Sequence, residues 1–113
     1  MSELVVVMIT APAEHGPALA RALVERRLAA CVNLVPAGSV YRWEGAVEDR
    51  EEALLVVKTR RGAVELMKTA LEELHPDENF ELIALPIEDG SPAYLSWIAK
   101  SVELPEDETP YFH

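Results

Sequence analysis

The side chains in this sequence best suited to chemistry are Cys31 and His75, with Asp77 and Glu78 just beyond the histidine. A thiolate and an imidazole together suit copper or zinc, whereas magnesium and calcium take oxygen ligands. Two donors leave such a site incomplete, so Asp77, Glu78 or a group from a neighbouring subunit would have to supply a third. Each residue also has a plainer reading. Free cysteines are commonly small buried hydrophobes, and Cys31 follows Leu28-Ala29-Ala30 at the start of an apolar run. His75 precedes Pro76 at the expected end of a helix, where an imidazole is either presented outward or kept structural. His15 and His113 fall in a loop and a tail and are read as incidental.

Carboxylates gather at Glu48, Asp49, Glu51 and Glu52, and again at Glu103, Glu106, Asp107 and Glu108. The first group reads as a solvated hairpin end and the second as a solubilising tail. Acid–base work by a carboxylate pair needs one member buried, and nothing local predicts that. Tyr41, Trp43, Tyr94 and Trp97 are rings with polar tips; Tyr41 and Trp43 alternate on one expected strand, which suits a subunit interface. There is no Gly-rich phosphate loop, no Cys-x-x-Cys pair, no His-Glu-x-x-His helix and no Gly-x-Ser-x-Gly turn. The residues by themselves therefore point to no catalytic centre and no obligatory cofactor.

The elements that must position these groups fit one domain over residues 1–113, with 103–113 as an acidic tail. A 113-residue chain that is 50% hydrophobic and 27% charged can bury a single core and is not disordered. Its formal net charge of -10 repels phosphate backbones and anionic membranes, and the tight basic pairs Arg26-Arg27 and Arg60-Arg61 are too small to offset it. The single cysteine allows no intramolecular disulfide, which fits a reducing cytoplasm. The apolar stretch Leu4 to Ala13 is about half the roughly 20 residues a membrane span needs, and no basic segment precedes it.

Along the chain, Leu4 to Thr10 is a β-branched apolar run that predicts a central strand buried on both faces and ended by Ala11-Pro12. Leu19, Ala20, Leu23, Val24 and Leu28 share one side of a helix that has Pro17 in its first turn. Cys31 to Val35 is a second strand, interrupted at Pro36-Ala37-Gly38 by an expected bend or bulge and resuming as Ser39 to Trp43. Glu44-Gly45 is a turn, and Ala46 to Thr59 is a long return strand. Val64, Met67, Ala70, Leu71 and Leu74 mark a second helix stopped by Pro76. Phe80 to Ile87 is a further strand, and Ser91-Pro92 opens a third, short helix with Ser91 as its cap. This order is the α+β, ferredoxin-like βαββαβ arrangement with an extra C-terminal helix. Right-handed crossovers put both main helices on one sheet face, leaving the other for a short helix and a partner subunit.

Several stretches also resemble a known family. Ala29-Ala30-Cys31-Val32-Asn33, Tyr41-x-Trp43-Glu44-Gly45, Lys58-Thr59, Leu74-His75-Pro76, Ala84-Leu85-Pro86-Ile87 and Tyr94-Leu95-x-Trp97-Ile98 are together similar to the CutA divalent-cation tolerance family, from about Val5 to Val102. The resemblance implies a ferredoxin-like protomer in a homotrimer related to PII signalling trimers, with strands continuing between subunits. It also implies cytoplasmic residence, a link to tolerance of copper and other divalent ions, and metal binding at Cys31 and His75. Three positions depart from the family pattern: Ile9 stands where some members have cysteine, Asp77 replaces the tyrosine of His-Pro-Tyr, and Phe80 replaces a proline before Glu81. The leading expectation is a homotrimer that binds metal ions, copper foremost, in a sensing or buffering role. The alternative is a PII-like trimer that takes a small molecule in inter-subunit clefts, and an enzyme acting on phosphoesters is third, resting on fold class alone.

Overall fold

A computed structural model of the chain describes residues 3–107. The carboxylate of Glu108, the Tyr111-Phe112 pair and His113 lie outside them. Strand β1 (Leu4–Pro12) leads through helix α1 (Gly16–Glu25) to β2 (Cys31–Trp43) and β3 (Ala46–Arg60). Helix α2 (Val64–Leu74), strand β4 (Leu82–Pro86) and helix α3 (Pro92–Ser101) follow. The sheet order is β2-β3-β1-β4 with every neighbouring pair antiparallel, so each crossover helix joins strands that run parallel with one strand between them. This is the ferredoxin-like topology expected from the sequence.

Period-two alternation decides which face is covered. Val5, Val7 and Ile9 on β1 lie opposite Thr59, Val57 and Leu55 on β3, and all six are fully buried. They form the main core with Leu19 and Leu23 of α1 and Met67 and Leu71 of α2, so both helices cover one face. The other face carries Val6, Met8, Leu54 and Val56, only partly buried, and Val35, Ile83 and Leu85, which are exposed. The expectation that β1 is buried on both faces therefore holds for one face of this chain. Helix α3 packs at one end of the sheet, where Ile98, Val102 and Leu104 form a second cluster with Leu4, Ala30 and Ala63.

Three local expectations are corrected and a fourth, at Ser91, is qualified. Strand β2 runs unbroken through Pro36-Ala37-Gly38 in a constant register from Cys31 opposite Lys58 to Trp43 opposite Ala46, with no bulge. It is an edge strand, so a proline nitrogen turned outward removes no bond to β3. Strand β4 is shorter than Phe80 to Ile87, and Val24 is 42% exposed instead of packing with its helix face. Ser91 occupies the cap position of α3 but makes no side-chain capping bond.

The hairpin turn has Glu44 and Gly45 both at positive φ (48° and 85°), which matches the twist of the two strands it joins. The hairpin stretches the molecule to 58 × 30 × 22 Å and its radius of gyration to 15.5 Å, against about 13 Å for a compact chain of this length. Residues 103–107 are not a free tail. Leu104 is buried, and Asp107 accepts hydrogen bonds from Arg60 at 2.6 and 3.2 Å. The Arg60 hydrogen bond holds the Asp107 carboxyl below the usual carboxylate range.

Candidate functional site

The segment from His75 to Glu81 crosses from α2 to β4 and meets the long hairpin. Pro76 ends the helix, and His75 at its C-cap has extended backbone (ψ 134°), which turns the chain toward β1. There the imidazole is buried at 8% exposure and stacked on Phe80, with ring centroids 4.6 Å apart. Its Nε2 lies 2.8 Å from the Thr10 carbonyl, an acceptor only, so Nε2 carries the proton. Its Nδ1 accepts from the Asp77 backbone N–H at 3.0 Å. Both ring nitrogens are thus engaged within the chain, and ligation by His75 would require breaking one of these bonds.

Asp77 continues the link. Its carboxylate accepts from Arg50 at 2.6 and 3.4 Å, and the same guanidinium donates to Glu52 at 2.6 Å. The Asp77 hydrogen bond first, and the Glu52 bond second, raise the Arg50 pKa beyond its already high value. In return the Arg50 hydrogen bond holds the Asp77 carboxyl below its usual value, against the opposing effect of burial. Glu52 is 7% exposed, so one of the carboxylates expected on a solvated hairpin end is buried. Arg50 makes that burial tolerable by pairing with it.

Between the hairpin and this loop lies an open cleft of about 660 Å³. Tyr41 and Trp43 line it on the hairpin side, Phe80 on the loop side, and Glu78 and Glu81 carry carboxylates into its lining. Arg50 sits against it with a buried Nε that finds no hydrogen-bond partner among the described residues. Sequence reading identified Tyr41, Trp43, His75, Asp77 and Glu78 but not Arg50, Phe80 or Glu81. The one local hint was the Arg50-Glu51-Glu52 order, which puts opposite charges two apart on one strand face.

Cys31 lies elsewhere. It pairs with Lys58, which in turn pairs with Val6, on the uncovered sheet face. His75 is anchored at Thr10, four residues farther along β1, so the two groups are separated by roughly 13 Å along the strands and about 10 Å across them. One protomer does not bring them together. Beside Cys31 stands Tyr94 of α3, whose ring centroid is 5.4 Å from that of Trp97. Partial burial, and then a hydrogen bond with Cys31, push the Tyr94 phenol up from its ordinary value. Among the described residues no three His, Cys, Asp or Glu side chains converge closely enough to hold a metal ion.

Known proteins share this fold and sequence. Residues 5–101 match the family described as CutA1 divalent ion tolerance protein. The divalent-cation tolerance protein CutA of Thermus thermophilus is 47% identical over 98 residues, covering 85% of this chain and 95% of that protein. Protein CutA of Homo sapiens is 42% identical over 101 residues, 88% of this chain but 56% of the human protein, so the chain spans about half of that relative. The crystal structure of CutA1 from Oryza sativa superposes with a TM-score of 0.87 at 39% identity, covering 90% of this chain and 95% of that one. The PII-like protein CutA from Nostoc sp. PCC 7120 in apo form gives 0.84 at 32% identity, with coverage of 88% and 98%. With a family match across almost its whole length and a closely superposable fold, the chain belongs to the CutA1 divalent ion tolerance family.

Proposed function

We propose that the protein works in divalent-cation tolerance as a cytoplasmic, PII-like homotrimer that binds metal ions, copper foremost, in a sensing or buffering role. The observation that carries this reading is the uncovered sheet face, where Val35, Ile83 and Leu85 are exposed beside the half-buried Val6, Met8, Leu54 and Val56. A contiguous apolar face of this kind marks an association surface. Tyr41 and Trp43 extend it along the hairpin, and the count of three is what the sequence resemblance to the CutA family and PII signalling trimers implies. Cys31 lies on this same face, where packing of subunits would bring it donors that its own protomer does not supply. Asp77 is committed to Arg50, which leaves Glu78 as the free carboxylate of the two expected to assist.

Sedimentation at micromolar concentration tests the assembly, with a trimer expected and a monomer counting against it. Trp43→Ala should weaken association by about 2 kcal/mol, the usual scale for a buried aromatic anchor. Copper titration of metal-free protein tests the ion site. Cys31→Ser should lower copper affinity at least about tenfold, since a soft thiolate is replaced by a hard hydroxyl. Unchanged affinity in both Cys31→Ser and His75→Ala would exclude the two residues as ligands.

A second reading is favoured by the cleft itself. Its volume of about 660 Å³ falls in the range of small-molecule sites, and it combines aromatic walls with a few polar groups. A PII-like signalling trimer that takes a small molecule in clefts between its subunits would use it where a neighbouring subunit completes its walls.

A further inference from the structure

We infer that Lys58 pairs with a carboxylate of a second copy of this chain, Glu48 on that copy's hairpin, and that this pair sets which ends of two protomers meet. The inference rests on the assembly reading above and names a contact within it. Strand β3 carries three cations, Arg50, Lys58 and Arg60. Arg50 pairs with Asp77 and Glu52, and Arg60 pairs with Asp107, all within the chain. Lys58 has no carboxylate partner among the described residues. Its ammonium donates to the side-chain carbonyl of Asn33 and, at 3.3 Å, to the Val56 carbonyl, both neutral. It stands on the uncovered sheet face between Cys31 of β2 and Val6 of β1, with the exposed Leu85 beyond. A subunit that covers these side chains also takes water from the ammonium, and a buried charge without a partner opposes association. The covering copy therefore has to bring the opposite charge.

Strand alternation selects the acid. Glu52 is taken by Arg50, which leaves Glu48, Asp49 and Glu51 as the exposed carboxylates of β3. Asp49 and Glu51 project to the opposite side of the strand, whereas Glu48 projects to the same side as Lys58. Glu48 is paired across the hairpin with Tyr41, so an acid and the exposed rings of Tyr41 and Trp43 occupy one end of the face. Lys58 lies at the other end, where Tyr94 stands beside Cys31 and both Tyr94 and Trp97 are exposed. The two ends are about 33 Å apart along β3, so Lys58 cannot reach Glu48 of its own chain. Rings with an acid and rings with a base are complementary only between copies. Used head to tail, the contact closes into a ring; used about a two-fold axis, it makes a dimer.

Sedimentation equilibrium of the parent chain, Lys58→Glu, Glu48→Lys and the double variant carrying both changes tests this. The parent is expected to assemble, and each single variant to raise the dissociation constant at least about thirtyfold, the lower scale for breaking a desolvated charge pair. The double variant, with the pair reversed, should return to within about threefold of the parent. Neither side chain is in the core, so the variants are expected to fold, which circular dichroism checks. Lys58→Met keeps the stem and removes only the charge; it is the further variant and should weaken association by less than Lys58→Glu. A parent that assembles and whose single variants assemble equally well overturns the inference and leaves the assembly reading intact. So does a double variant no better than either single one, or unchanged association in Lys58→Met. A monomeric parent overturns the assembly reading and the inference with it. A dimer that shows the charge-reversal pattern supports the inference and overturns the count of three.

Discussion

Asp77 keeps its charge in acid because Arg50 is beside it, and that has a consequence for stability. An unfolded aspartate titrates near about 3.9. The folded value lies below this, so the unfolded chain binds more protons as pH falls toward it. The stabilisation is therefore complete above about pH 5 and is lost as pH drops through the folded value. Asp77→Asn should flatten the loss of urea stability between about pH 5 and pH 3. The change should be no more than about 1 kcal/mol, because both partners are partly exposed. An unaltered slope would mean that the pair contributes nothing to folding. Arg27 is strained in a different way. It sits at positive φ (60°) just after α1, where Leu28 N–H bonds to the Leu23 carbonyl and Arg27 N–H to that of Val24, the bond pattern of a helix stop that favours glycine. Arg27→Gly should raise stability by about 0.5–1 kcal/mol, read as a higher melting temperature. Its 3.8 Å exposed contact with Glu103 is too weak to reverse that sign.

The secondary-structure elements were largely legible because their signals are local. The β-branched run of β1, the helical spacing from Val64 to Leu74 and the stop at Pro76 each predict the element that forms. Strand β2 was misread for an equally physical reason. Pro36-Ala37-Gly38 carries the punctuation of a break, and only its position at the sheet edge, a property of the whole topology, makes the proline harmless. The candidate site was legible only in pieces. Tyr41, Trp43, His75 and Glu78 announce themselves by residue type. The Arg50–Asp77 contact joins groups 27 residues apart, and no local pattern reports it. Glu52 is buried against its own pairing with Arg50, which its neighbours Glu48, Asp49 and Glu51 lack, so they read correctly as exposed while Glu52 did not. The departure from the family pattern at Asp77 gains a physical role in this way: the aspartate is what fastens the loop to the hairpin.

At the scale of the whole molecule, an elongated protomer with one finished sheet face and one unfinished face has a directed way to associate. It also has an undirected one. Strand β2 presents its outer edge over 13 residues, a template along which strands of many other chains would zip. Pro36 interrupts that template. An incoming strand finds no N–H there and must start again at Ala37, so runaway stacking is broken near its midpoint while shorter, shape-selected pairings on either side remain open. Pro36→Val would restore an uninterrupted edge with high strand propensity. It should make association grow without limit, seen as light scattering that rises with time at a concentration where the parent chain stays clear. A clear solution of the variant would assign the limit on growth to the acidic hairpin instead. What looks in the sequence like a fault in a strand then acts as a chain terminator for polymerisation.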